Sequence, residues 1–127
     1  MEETTKAYIA GLIDGEGSIF INIVKQHYHF RPQLSIMMTD KKTIEYLISK
    51  IKFCRYSEAD RGIWKRQYGL IINRMSDIIT ILELVFPYLV TKKEQAKIML
   101  EFCSYKHNKN TADKDISLML KIKELNG

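Results

Sequence analysis

The segment from Ile9 to Gly17 constrains the fold of this chain most, because it ends a helix and opens a strand within a few residues. Its apolar residues predict a helix from about Lys6 to Asp14, and the glycines at positions 15 and 17 are typical of a helix end. Gly11 and Gly15 lie four residues apart on one helical face, where a second backbone can approach closely. Glycine inside a helix costs roughly 0.5–1 kcal/mol relative to alanine, so Gly11 calls for a compensating contact.

The rest of the chain predicts a sheet with helices. Residues alternate from Ser18 to Tyr28, with Ile19, Ile21 and Ile23 on one side, as in a half-buried strand. After a turn at His29 to Pro32, apolar spacing and turn residues predict further elements: a strand from Gln33 to Met38, a helix capped by Asp40 and ending near Phe53, strands at Arg55 to Asp60 and Lys65 to Ile72, a helix from Ser76 to Pro87, a helix opened by a capping box at Thr91 to Glu94, and a helix from Asp115 to Leu125. The order αββαββα, followed by two helices, indicates a single α+β domain over residues 1–127 with an antiparallel sheet.

The charge of the chain favours a polyanionic partner. Lys and Arg number 20 against 15 Asp and Glu, a formal net charge of +5. An excess of this kind is typical of proteins that bind nucleic acid, although it does not single out DNA. The sequence shows neither a signal peptide nor an apolar run long enough to cross a membrane. We therefore expect an intracellular protein that acts in the compartment of its synthesis, without a membrane partner.

Two carboxylates lie at the predicted helix end. Asp14 and Glu16 come where the helix dipole already presents negative charge, which is unfavourable by roughly 0.3–1 kcal/mol for each acid. A bound cation removes this conflict, and carboxylate and main-chain carbonyl oxygens are the ligands that Mg²⁺ prefers. The alternative interpretation is an ordinary core helix that ends at glycine, with Glu16 as a solvated carboxylate.

Ile9 to Gly17, followed by Ser18 and an alternating strand, resembles the motif of the LAGLIDADG homing endonucleases. Tyr88 to Ala96, with the letters YLVTKKEQA, is similar to the family segment that ends in Lys-x-x-Gln-Ala. The resemblance implies a saddle-shaped αββαββα domain whose sheet lies in the major groove of double-stranded DNA. It also implies metal-dependent phosphodiester hydrolysis at the motif helix ends. One motif per chain implies a homodimer that cuts both strands of a long, roughly palindromic target.

The resemblance also implies roles for individual residues. Glu16 matches the metal-binding acid and Gly15 can lend its carbonyl, with Mg²⁺ as the cofactor and Mn²⁺ expected to substitute. Lys92 matches a lysine that lies near the cleaved phosphate. Asp40 corresponds either to a catalytic polar residue after the second strand or to a simple helix cap. The small face of the motif helix predicts a dimer interface of Ala10, Gly11, Asp14 and Gly15.

The sheet face opposite the isoleucines is the predicted DNA-binding surface. It comprises Ser18, Phe20, Asn22, Val24, Gln26, Arg31, Gln33, Ser35, Met37, Lys65 and Gln67, flanked by Arg55 and Arg61. Asn, Gln and Arg suit base edges, and a good bidentate contact discriminates bases by roughly 1–3 kcal/mol. The alternative is a solvated polar face. The apolar side chains within the set favour a contact surface.

Three other functions remain open for such a chain. They are an RNA-binding maturase on the same scaffold, a catalytically inactive DNA-binding regulator, and a basic interaction domain that binds no nucleic acid. Intact Glu16 and Lys92 favour cleavage over the maturase function, and retained nuclease activity would separate an endonuclease from all three.

Overall fold

A computed structural model describes residues 1–24, 29–60, 62 and 65–127. The predicted interface residues Gln26 and Arg61 lie outside the described residues. The elements in chain order are α1 (Glu3–Glu16), β1 (Gly17–Val24), β2 (His29–Met38), α2 (Lys41–Ile51), β3 (Arg55–Asp60), β4 (Arg66–Ile72), α3 (Met75–Val85), α4 (Lys93–Cys103) and α5 (Ala112–Asn126). Short 3-10 turns occupy Phe86–Tyr88 and Lys109–Thr111. The α+β class and the αββαββα order with two additional helices are confirmed.

The four strands form one antiparallel sheet in the order β1-β2-β4-β3. Its inner face is apolar, as the alternation predicted, with Ile19, Leu34 and Leu70 fully or almost fully buried. Each of the five helices contributes buried side chains to the same core. The helices therefore cover one face of the sheet, and their burial of apolar surface is the main stabilising contribution.

The other face of the sheet is open. Strand register places Ser18 opposite Ser35, Phe20 opposite Gln33 and Asn22 opposite Arg31. Neither aspartate nor glutamate occupies an outward position on the described part of this face. The acids of β3 have the opposite parity, and both form ion pairs with Arg66, at 2.6 Å from Glu58 and 3.9 Å from Asp60. The alternation of the strands thus separates the acidic side chains from the open face.

Helix α1 is longer than predicted at both ends. It begins at Glu3 after Glu2, and it continues through Gly15 to Glu16. Gly17 does not end it by adopting a left-handed conformation, because its φ is −83°. A Cβ atom at Gly17 would instead lie 2.7 Å from the carbonyl oxygen of Ile13. The chain needs glycine there because the new strand leaves directly against the last helical turn.

Two other local predictions were wrong. Residues 29–32 belong to β2 rather than to a turn, and β1 pairs with them throughout. Because β4 pairs with β2 only from Leu34 onward, β2 has an open edge beside Pro32, where the missing N–H group is tolerated. Helix α4 begins at Lys93 without a local side-chain cap, so the capping box at Thr91 does not form.

The last helix begins at Ala112, before the predicted start, and its Asp115 is buried at 2 % exposure. Asp115 accepts hydrogen bonds from the hydroxyls of Tyr105 and Thr111, and its carboxylate lies 2.8 Å from Nδ1 of His107. This polar cluster anchors the start of α5 against the end of α4. No helix in the described ranges is long and apolar enough to cross a membrane.

Candidate active site and nucleic-acid interface

The end of α1 is joined to the segment before α4 by Asp14. Its carboxylate accepts hydrogen bonds from the backbone N–H groups of Val90 and Lys92, both at 2.9 Å. These donors precede and open α4, so a carboxylate from a distant helix replaces the local cap that the sequence suggested. Asp14 therefore fixes the position of Lys92 relative to the motif helix. This pairing was missed, since nothing in the local sequence of either segment indicates it.

Lys92 completes this connection through its side chain. The ammonium Nζ lies 2.8 Å from the carbonyl oxygen of Asp14, to which it donates a hydrogen bond. Carbonyl groups in the last turn of a helix lack intrahelical partners and carry partial negative charge, so a cation there is stabilising. The neighbouring Lys93 points elsewhere, with its Nζ 5.0 Å from the ring centre of Phe86. Only Lys92 of these two lysines is directed to the helix end.

Gly15 and Glu16 directly follow Asp14 at the exposed end of α1. The structure thus brings Lys92 to the helix end that these three residues form. Carboxylate and carbonyl oxygens are suitable ligands for Mg²⁺, so the donor set fits such an ion. Within the described residues, however, no group of three His, Cys, Asp or Glu side chains could hold a metal.

Asp40 has a well-defined structural role. Its two carboxylate oxygens accept hydrogen bonds from the backbone N–H of Lys42 at 3.1 Å and from the hydroxyl of Thr43 at 2.7 Å. The hydrogen bond from Thr43 is the main cause of a lowered pKa for Asp40. Asp40 therefore caps α2, as the structural interpretation of this residue predicted.

Most predicted DNA-binding residues lie on the open face with accessible side chains. The exposed ones are Ser18, Asn22, Arg31, Arg55 and Lys65, and the half-buried ones are Phe20, Val24, Gln33, Met37 and Gln67. The prediction that Ser35 belongs to the DNA-binding surface was wrong. Ser35 lies in the middle of the sheet and is only 7 % exposed, so it offers little surface to a ligand. The basic and amide groups of this face have no carboxylate beside them on its described part. Such a surface suits an anion that carries hydrogen-bonding groups.

Gly11 and Gly15 are exposed on the outward side of α1, about one helical turn apart. We call this part of the helix surface the small strip of α1. A Cβ atom at either glycine would meet nothing within 4 Å. The folded chain itself therefore gives no reason to have glycine at these helical positions. Ala10 does not belong to this strip, because it is fully buried in the core of its own chain. The prediction that Ala10 belongs to the dimer interface was therefore wrong.

The sequence of residues 9–96 matches the pattern of the LAGLIDADG endonuclease family. The chain belongs to this family. The match spans more than half of the chain and includes the end of α1, the whole sheet and Lys92. No curated protein matches the chain in sequence.

Solved structures of LAGLIDADG homing endonucleases share the fold. The archaeal intron-encoded enzyme I-Vdi141I in complex with DNA has 19% identity and a TM-score of 0.82, with 98% of this chain and 86% of that chain covered. The homing endonuclease I-CvuI in complex with a DNA target has 22% identity and a TM-score of 0.79, with 97% and 82% covered. The LAGLIDADG meganuclease I-AabMI bound to uncleaved DNA has 19% identity and a TM-score of 0.76, but only 43% of its chain is covered.

The two interpretations of Asp40 in this LAGLIDADG protein can be separated by Asp40→Asn. Asparagine caps helices about as well as aspartate, so α2 should keep its stability near pH 7. We expect DNA cleavage within about twofold of the native rate, because both carboxylate oxygens already serve the cap. Single-turnover cleavage and thermal unfolding measure the two effects. A large loss of cleavage with unchanged unfolding would assign Asp40 a catalytic role.

Proposed function

We propose that this LAGLIDADG protein is a site-specific DNA endonuclease that works as a Mg²⁺-dependent homodimer. The observation that carries the proposal is the position of Glu16. Its exposed carboxylate ends α1, and the next residues open β1, whose Ser18 lies on the open sheet face, where the described positions include no acid. A ligand carboxylate is thereby held at the margin of a surface that suits a polyanion.

The open sheet face is proposed to bind the major groove of double-stranded DNA. A twisted antiparallel sheet can follow the groove, and its Arg, Asn and Gln side chains suit base edges. The solved complexes of I-Vdi141I, I-CvuI and I-AabMI with DNA support DNA binding by analogy of fold. Affinity should fall steeply with salt, because phosphate neutralisation releases counterions.

At the end of α1, Glu16 and the carbonyl of Gly15 would hold a divalent metal. Such an ion, with Mg²⁺ as the expected species and Mn²⁺ as a substitute, stabilises charge on the phosphate and lowers the pKa of a bound water. Lys92 adds a positive charge that Asp14 keeps next to the helix end. The neighbour I-CvuI was crystallised with the I-CreI target, uncleaved, in the presence of Mg²⁺ and with its own target in the presence of Ca²⁺. These two structures support the use of a divalent metal.

A second copy of the chain is proposed to pack against the small strip of α1. Glycine at positions 11 and 15 lowers the stability of α1, and no neighbouring group of the same chain compensates for this loss. Close packing of a partner backbone against the two glycines would compensate for it. The chain covers only 43% of I-AabMI, so that longer protein has room for a second domain of this size. Two copies would bring two sites to the two DNA strands and impose a roughly palindromic target.

Gly11→Leu should convert the dimer to a monomer. The leucine side chain fits the isolated chain, since the site is open, but it would separate two backbones that pack at this position. Sedimentation velocity at micromolar concentration measures the change, and circular dichroism checks the fold. Ser117→Leu adds the same side chain to the exposed surface of α5 and should leave the dimer intact. A Gly11→Leu variant that remains dimeric would contradict the proposed interface.

The activity itself is tested by incubating the protein with a randomised duplex library and Mg²⁺ and sequencing the cut ends. The proposal expects cleavage of both strands within one conserved sequence of about two helical turns, with related half-sites. Specific binding without cleavage would identify an inactive DNA-binding relative instead. Selective binding of RNA without DNA cleavage would favour the maturase function.

A further inference from the structure

A polar notch interrupts the open face where β2 and β4 separate. The last residue pair between these strands is Leu34 with Ile72, whereas β2 continues to His29 beside β1 alone. Asn73 follows directly after β4, one residue beyond that pair, and lines the same cavity as Gln33. The resulting cavity has a volume of about 520 Å³.

The side chains that line the notch have a distinctive chemistry. Arg31 from β2 and Arg55 from β3 reach it from opposite sides, and Asn22, Gln33 and Asn73 supply amides. No carboxylate lines it, and neither guanidinium forms an ion pair with any residue that the structure describes. Two unpaired guanidinium groups beside several amides can offer donors and acceptors together to one ligand.

These groups can complement a G·C base pair. In the major groove a G·C pair presents two acceptors, guanine N7 and O6, and one donor, the cytosine amino group. Arginine is the residue that most often donates to guanine, and an amide carbonyl can accept from cytosine. We propose that Asn73, together with Arg31 and Arg55, forms a subsite that recognises one G·C pair in each half-site. This inference rests on the proposed function, and Asn73 lies outside the surface that the alternation of the strands predicted.

Two arginines could also bind a DNA phosphate, which is anionic, instead of a neutral base pair, and a phosphate contact predicts a different result. A phosphate contact weakens binding to every sequence alike and lowers the salt dependence, whereas a base contact alters the preference at one position. Arg74 provides a control for a general loss of positive charge, because it follows Asn73 in the chain but does not line the notch. It lines an adjoining cavity of about 470 Å³ with Lys52, and that cavity shares Arg55 and Asn73 with the notch.

The experiment measures binding of the full chain to a duplex library without Mg²⁺, followed by sequencing of bound DNA. Native protein should prefer G·C at one symmetric position in each half-site. Asn73→Ala should lower that preference by about tenfold, with other positions unchanged. Arg74→Ala should lower the affinity for all sequences, and Asn110→Ala, in the turn before α5, should change nothing. Thermal unfolding confirms that each variant is folded.

The outcomes separate this inference from the proposed function. Specific DNA binding whose preferences are the same in native protein and Asn73→Ala would overturn the subsite and leave the endonuclease proposal intact. A uniform loss of affinity in Asn73→Ala would also overturn it, since that is the result of a phosphate contact. Equal binding of the native protein to every duplex would overturn both.

Discussion

Glu16→Gln should abolish DNA cleavage and leave DNA binding intact. The substitution keeps the size and most of the hydrogen-bonding capacity of the side chain, but it removes the negative charge that would hold a divalent metal at the end of α1. A loss of several kcal/mol of transition-state stabilisation corresponds to about a thousandfold slower cutting. Affinity should not fall, because the sheet supplies most contacts and removing an anion beside DNA reduces repulsion.

Cleavage with Mg²⁺ and a gel shift with Ca²⁺ on the same target measure the two properties. Glu101→Gln, an exposed acid on α4, makes the same chemical change away from the end of α1 and should cut normally. Normal cutting by Glu16→Gln would reject the proposed ligand role. Loss of binding together with cutting would show that Glu16 is needed for the structure of the interface.

Lys92→Ala should slow cleavage by about a hundredfold, because removing one preorganised cation from the reacting phosphate costs roughly 3 kcal/mol. The structure adds a second expectation. The ammonium also binds the Asp14 carbonyl, so the variant leaves that carbonyl without its partner and should unfold at a lower temperature. Metal binding should persist, since Lys92 supplies charge rather than a ligand.

Lys93→Ala is the matched control for this variant. It removes the same charge from the neighbouring position, but the Lys93 side chain lies over Phe86 rather than at the end of α1. It should weaken DNA binding slightly and leave the single-turnover rate at saturating protein unchanged. Equal slowing in both variants would show that general positive charge, not the placement of Lys92, supports cleavage.

The sequence by itself determined the architecture and the main elements of the candidate site. Alternation of apolar residues defined the strands and their two faces, because side chains in a strand point alternately to opposite sides. The letters from Ile9 to Gly17 located Glu16 at the junction between helix and strand, since that junction is local. The cap that Asp40 forms was one of the two roles predicted for this residue, and it could be predicted because its partners lie only two and three residues away. Each of these features depends on short-range spacing.

Tertiary structure alone decided how the distant parts meet. Asp14 caps a segment that lies 76 to 78 residues further along the chain, so the local capping box at Thr91 was not needed and did not form. Ala10 and Ser35 have suitable periodicity for interfaces, yet packing by neighbouring elements buries both. Asn73 reaches the notch only because β4 pairs with β2 and ends one residue earlier. Local sequence cannot specify such contacts, because they depend on which non-adjacent strands and helices become neighbours when the single core forms.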